Sequence, residues 1–283
     1  MVFKKNNISL ITLILISSFF NSCSTDEKQT VVTKTQLVMS DEFNVDGAPN
    51  PSLWVYETGV GPDPNNPWGN NELQYYTNRP ENIKVEDGFL KITARREQFM
   101  GKSYTSARIK TQGKFETKYG RIEARIKLPR GKGLWPAFWM LGSNIQTAPE
   151  SPDNPNTVPW PYCGEIDIME YLGNSPTKIF GTVHGPGYSG GESISKNFFL
   201  SNSRFDTDFH IFGIEWDENR VNFYVDDMLY HSVTPEDVPG EWVFNQSFYM
   251  ILNIAVGGNL PGAPNGETPF PQEMLVDYIR VYE

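Results

Sequence analysis

Gly164-Glu-Ile-Asp-Ile-Met-Glu-Tyr171 sets three acidic side chains, Glu165, Asp167 and Glu170, among apolar residues that read as a strand. Carboxylates are rarely buried without partners, so three on one short apolar segment need a reason. One reading is an edge strand with a solvated acidic face. The other is a carboxylate pair for acid/base and nucleophilic work, tuned by a third carboxylate. Along an extended strand Glu165 and Asp167 share one face, and Ile166 and Ile168 the other. Strict alternation would then send Glu170 to the isoleucine side. A β-bulge at Ile168-Met169 adds one residue and returns Glu170 to the acidic face.

Outward from this stretch, the chain reads as short strands broken by Gly, Pro, Asn and Asp turns. Asn82 to Val85 and Phe89 to Ala94 flank Glu86-Asp87-Gly88 as a hairpin. Arg121 to Leu128 alternates, charge out and apolar in. Ile211 to Trp216, Val221 to Val225 and Leu229 to His231 make a small meander, and Tyr249–Val256 and Leu275–Tyr282 close the chain as strands. No amphipathic helix of three turns is evident. The expected fold class is all-β, a sandwich of two antiparallel sheets. Gly59–Gly69, Gln146–Tyr162 and Gly257–Pro271 are too rich in Pro and Gly for strands, and Trp68, Trp160 and Phe270 within them are expected as groove walls.

The 283 residues carry a net charge of −10 with no basic block, which disfavours nucleic acid and highly sulfated polymers as partners. Aromatics make up 13% of the chain, with seven Trp, a composition that suits stacking on sugar rings. Lys4 and Lys5 precede an apolar run from Ile8 to Phe20, too short to span a bilayer, which reads as an export signal over residues 1–22. The Ser22-Cys23 junction resembles a lipoprotein cleavage site, with lipidation of Cys23 and a polar tether over 23–35. Membrane contact is then expected only through that lipid, on either face of the outer membrane; simple secretion is the alternative. Removing residues 1–22 takes away two lysines and no acid, leaving −12. The remaining Cys163 has no disulfide partner in the domain, residues 36–283, and is expected as a small buried residue beside the site.

The bulge bears on chemistry. It leaves the two glutamates about four strand steps apart, with carboxyls leaning to ~5 Å, the separation of a retaining rather than an inverting glycosidase. One glutamate would attack the anomeric carbon and the other protonate the leaving oxygen. Asp167 would orient the nucleophile.

The same stretch resembles the active-site strand of glycoside hydrolase family 16 in its bulged Glu-x-Asp-x-x-Glu form. Ser40-Asp-Glu-Phe43, Trp68-Gly-Asn-Asn-Glu-Leu-Gln-Tyr-Tyr76, Gly120-Arg-Ile-Glu-Ala-Arg-Ile126, Leu134-Trp-Pro-Ala-Phe-Trp-Met-Leu141, Gly181-Thr-Val-His-Gly185 and Leu252-Asn-Ile-Ala-Val-Gly-Gly258 extend the resemblance over the domain. Within the family the chain looks like the laminarinase-type endo-β-1,3-glucanases. The resemblance implies a β-jelly roll with an open substrate cleft on its concave face and a β-glucan partner bound by a monomer. It implies Glu165 as nucleophile, Asp167 as its helper and Glu170 as acid/base. Asn70, Arg108, Trp135, Trp139, His184, Trp216 and Asn253 match substrate-binding positions, with His184 expected as a polar partner near Glu170. No catalytic cofactor is implied. A structural calcium ion is, at Glu42, the Gly88 carbonyl and Asp277. Zinc is not expected, since His184, His210 and His231 lack ligand spacing. Mixed-linkage glucan or an algal galactan as substrate, or a non-catalytic glucan-binding role, are the alternatives.

Overall fold

The computed structural model describes residues 34–145 and 157–283. The predicted signal segment, Cys23, most of the predicted tether and residues 146–156 of the second Pro/Gly-rich loop lie outside the described residues. Local sequence accounts for most of the strands. Turn-rich stretches separate β1 (Leu37–Asp41), β2 (Val55–Glu57) and β3 (Gln74–Tyr76). The hairpin of β4 (Ile83–Glu86) and β5 (Phe89–Phe99) turns through Asp87-Gly88, both at positive φ, as a two-residue turn matched to strand twist requires. β6 (Lys102–Ser106), β7 (Arg108–Lys110), β8 (Gly120–Lys127), β9 (Leu134–Gly142), β10 (Glu165–Tyr171), β11 (Lys178–His184) and β12 (Ile194–Phe199) follow. The meander comprises β13 (His210–Asp217), β14 (Arg220–Val225) and β15 (Met228–Val233), its second turn being Asp226-Asp227 at positive φ. β16 (Phe248–Val256) and β17 (Gln272–Tyr282) complete the order.

These strands form two sheets. One has ten strands, in the order β15-β14-β13-β8-β17-β5-β6-β3, with β1 on β17 and β4 on β5; the other has seven, β12-β11-β10-β9-β16-β7-β2. Their inner faces bury one apolar core that includes Phe138, Ile166, Phe212, Trp216, Phe223 and Phe248. Every residue of β16 is buried, because its outer face is also covered by cleft residues. Such a strand reads as a continuous apolar run rather than an alternation.

Two expectations change in detail. The sheets are not wholly antiparallel, since β3 pairs parallel with β6. A parallel pair needs a crossover, and the β4–β5 hairpin supplies it. The outward charges of β8 are also less exposed than alternation suggests: Arg121 is 4% and Glu123 7% exposed. β8 lies between β13 and β17, and neighbouring outward side chains cover it.

Candidate active site

The bulge on β10 is present where the sequence requires it. Against β11, Asp167 lies opposite Thr182 and Glu170 opposite Phe180, three steps on one strand against two on the other. Against β9, Ile166 opposes Met140 and Met169 opposes Phe138, with the same extra residue. Ile168 and Met169 are consecutive, yet both join the core together with Ile166 and Tyr171. Glu165, Asp167 and Glu170 are thereby left on the outer face of the seven-stranded sheet. The strand enters through Gly164 at φ 76°, where a Cβ would come within 2.9 Å of the Phe248 ring.

Each carboxylate has identifiable partners. Trp160 Nε1 donates to Glu165 Oε2 at 2.9 Å. His184 Nε2 lies 3.1 Å from Asp167 Oδ2 and 3.7 Å from Glu165 Oε1. The Gly190 backbone N–H donates to His184 Nδ1 at 3.1 Å, so the ring proton sits on Nε2, the nitrogen nearer the two acids. His184 is therefore the partner of Asp167 and Glu165; no hydrogen bond joins it to Glu170 among the described residues. Glu170 accepts from Trp135 Nε1 at 3.1 Å and from Thr182 Oγ1 at 3.4 Å.

Burial, first, and then mutual repulsion push Glu165 up to about 8, while burial alone raises Asp167 to about 8 against a hydrogen bond to Glu165. Burial and the Asp167 charge do the same to Glu170, also to about 8. Like charges at this density cannot all ionise at neutral pH, so the cluster shares protons and titrates as a unit. Such a site holds an acid and a base at once. Ligand atoms of Glu165, Asp167 and His184 also fall within 4.8 Å of one another, a donor set that could hold a divalent cation. An ion there would occupy the oxygen that Glu165 needs for attack.

The predicted sugar-contacting residues gather beside this cluster, on β9, β16 and β7. Trp135 and Trp139 share the outer face of β9, while Leu134, Phe138 and Met140 go to the core. The Arg108 guanidinium is sandwiched between the rings of Trp68 (4.6 Å) and Trp139 (4.8 Å), and Glu57 accepts from its Nε at 2.5 Å. A chain of hydrogen bonds supports this platform. Trp139 Nε1 donates to Asn253 Oδ1 at 2.7 Å, Asn253 Nδ2 to Tyr76 Oη at 3.2 Å, and Tyr76 to Glu72 Oε2 at 3.1 Å. Glu72 is 4% exposed, and burial raises its pKa against the positive charge of Arg108. Asn70 lies by this group: a Cβ on Gly258 would meet the Asn70 carbonyl at 3.1 Å and the Trp135 ring at 3.6 Å.

Trp216 is not part of the site. It lies on β13 in the opposite sheet, 1% exposed, with Nε1 donating to the Phe244 carbonyl at 2.8 Å. Phe212, Ile214 and Trp216 follow the period of two that points inward, which places Trp216 in the core. Phe270 packs at 5.3 Å against Tyr104 and under Arg96, away from the catalytic strand. Cys163 is fully buried and burial holds its thiol at about 12, as suits a packing residue. At the expected calcium position, Arg280 holds Glu42 through two contacts of 2.8 and 2.9 Å and Arg125 holds Asp277 at 2.6 Å. With both carboxylates already neutralised by arginines, this arrangement does not present the anionic donor set that calcium takes.

The sequence pattern marks Trp160 only as a groove wall and gives no role to Glu57, Glu72, Tyr76 or Thr182. For Glu72, Gln74 and Tyr76 the signal was available. They alternate in the quoted Trp68–Tyr76 segment, and polar residues at a period of two on a buried strand mark a hydrogen-bonded face.

Four likenesses bear on this geometry. A family model described as Glycosyl hydrolases family 16 matches residues 70–279. The chain is 51% identical to the structure of the catalytic domain of an endo-1,3-beta-glucanase (laminarinase) from Thermotoga petrophila RKU-1, with a TM-score of 0.81, covering 88% of this chain and 98% of that one. It is 42% identical to the Beta-glucanase of Rhodothermus marinus over 87% of this chain and 85% of that protein. It is also 36% identical to Glucan endo-1,3-beta-glucosidase A1 of Niallia circulans, covering 87% of this chain but only 38% of that longer protein.

Proposed function

The chain belongs to glycosyl hydrolase family 16, and from that premise we propose that it is a monomeric endo-β-1,3-glucanase that cuts laminarin-type glucans with retention of configuration. The observation that carries this reading is the β10 bulge, which turns Glu165 and Glu170 to one face beside a tryptophan platform. The Glu165 carboxylate attacks the anomeric carbon and forms a glycosyl ester as the bond to the leaving oxygen breaks. Glu170 gives that oxygen its proton. Esterification removes the charge on Glu165, so the repulsion on Glu170 falls and its carboxylate can act as a base. Glu170 then takes a proton from water, the water oxygen attacks the same carbon, and Glu165 leaves. Two inversions give net retention. No cofactor enters either step.

Around these two residues the remaining groups orient. Asp167, fixed by His184 Nε2, holds Glu165 in line for attack; the Trp160 N–H holds the other oxygen of Glu165. Arg108, Trp139 and Asn253 bind sugar hydroxyls and ring faces on the β7 side. The test is reducing-end release from laminarin, lichenan, agarose and carrageenan, with proton NMR of the first anomer formed. Laminarin is expected to be cut fastest, with the β-anomer appearing first. Initial α-anomer would overturn the role of Glu165, and release from carrageenan alone would overturn the substrate.

We also propose that Cys23 is lipidated and that the enzyme is held on the outer membrane, on the strength of the apolar run before Ser22-Cys23. Cys23→Ser should move the protein from the membrane fraction to the soluble fraction; an unchanged distribution would refute the anchor.

A further inference from the structure

We infer that the substrate floor continues past the catalytic strand onto the β11–β12 edge, as a further subsite for one neutral pyranose unit of the glucan. This rests on the β-1,3-glucanase reading and extends it to residues outside the motifs that support that reading.

Register fixes which side chains share the catalytic face, because residues directly opposite in an antiparallel pair point the same way. Thr182 lies opposite both Asp167 and Ser195, and the two hydroxyl oxygens meet at 2.9 Å. Phe180 lies opposite both Glu170 and Asn197. Lys178, two residues along, lies opposite Phe199. Phe180, Asn197, Lys178 and Phe199 therefore extend the face that carries Glu170. The alternate residues Ile179, Val183, Ile194 and Phe198 pack on the sandwich core instead.

That division leaves Phe199 without a packing role. It is 60% exposed on an edge strand, a place where native sheets favour charge over apolar surface. A single exposed apolar side chain means little by itself. Here its setting gives it meaning: the exposed Phe199 ring shares one surface with the exposed Asn197 side chain two residues before it and with the half-buried Phe180, whose ring is capped by a lysine. The Lys178 ammonium lies 4.6 Å from the Phe180 ring centre. Flat apolar surface beside a few polar groups is how a protein takes a sugar ring, stacking its C–H face and bonding its hydroxyls. The single lysine and the acidic chain favour a neutral unit over a sulfated one. Arg108 stands on the other side of β10, across β9 and β16. A glucan lying across the strands would fill both ends, with the scissile bond over β10, the placement that internal cutting needs.

The test compares wild type with Phe199→Ala, Asn197→Ala and Phe199→Trp on reducing-end-labelled laminari-oligosaccharides from trimer to heptamer. Phe199→Ala should lose about fivefold to tenfold in kcat/KM on the heptamer, stay within about twofold on the trimer, and move the preferred cut along the chain. Asn197→Ala should act in the same direction, and Phe199→Trp should keep the wild-type pattern. Both positions are exposed, and unchanged melting temperatures would verify folding. Identical chain-length profiles and cut positions in wild type and both alanine variants would overturn the subsite alone. Failure of the wild type to cut any of these oligosaccharides would overturn the β-1,3-glucanase reading, and the subsite with it.

Discussion

On the outer face of the ten-stranded sheet, Arg121 is buried against Glu123 at 2.7 Å, Asp227 at 2.6 Å and Glu215 at 3.8 Å. On the outer face of the seven-stranded sheet, Glu165, Asp167 and Glu170 crowd together with one histidine. Both faces bury charge. The first surrounds a cation with anions, and those charges raise the Arg121 pKa although burial lowers it. The second buries like charges side by side, and burial first, with repulsion added on the two glutamates, raises three carboxyls to about 8. Opposite charges in contact hold a fold together, whereas like charges in contact destabilise it and are kept where chemistry needs a shared proton.

Glu165→Gln tests this contrast most sharply. Hydrolysis should fall about 10⁴-fold or more through loss of the nucleophile, while the melting temperature at pH 8 rises. The sign follows from linkage. The three carboxyls have native pKa values near 8, above their unfolded values, so the native state binds more protons between those limits. Their protonation favours the fold in acid, and stability drains away as pH climbs toward about 8. Removing one of them relieves that loss. A lower melting temperature in the variant would contradict the strained-cluster account.

Arg121→Met should do the reverse. Leaving Glu123 buried without its cation costs roughly 3 kcal/mol, or a drop of about 5–10 °C in Tm, with kcat within about twofold of wild type. A large fall in kcat with Tm unchanged would erase the distinction between the two faces.

Asp167→Asn gives the smallest of the three effects and probes the cluster from within. Its charge raises both glutamates, so its loss should move the alkaline limb of the pH–rate profile, which reports the acid form of Glu170, to lower pH by about one unit. A limb that stayed in place would show that burial alone sets the Glu170 pKa.

Periodicity made β8, β13, β14 and β17 legible, since one face of each must be apolar whatever its neighbours are, and β16 was legible as a continuous apolar run. The bulge was legible for the same reason: Glu170 could rejoin Glu165 and Asp167 only through one extra residue. Trp216 was misplaced because a tryptophan matched to a motif carries no mark of which sheet its strand will join. The β3–β6 parallel pair was missed because a strand as short as β3, Gln74–Tyr76, leaves too little pattern to read. The arginines on Glu42 and Asp277 arrive from strand positions that spacing along the chain does not relate.

The order of apolar and acidic residues in Gly164–Tyr171 by itself determined that this strand is bulged and carries its acids on one face, because side-chain direction follows from local backbone geometry. Only the tertiary structure decided which groups surround those acids. The buried Glu72 behind Trp139 is separated from its partners by several strands, while the Trp160 N–H on Glu165 and the Gly190 N–H that sets the His184 tautomer come from loops flanking β10 and β11 whose path no strand pattern fixes. Their positions depend on how two sheets close over a common core, and so do the burial and repulsion that raise the three carboxyls.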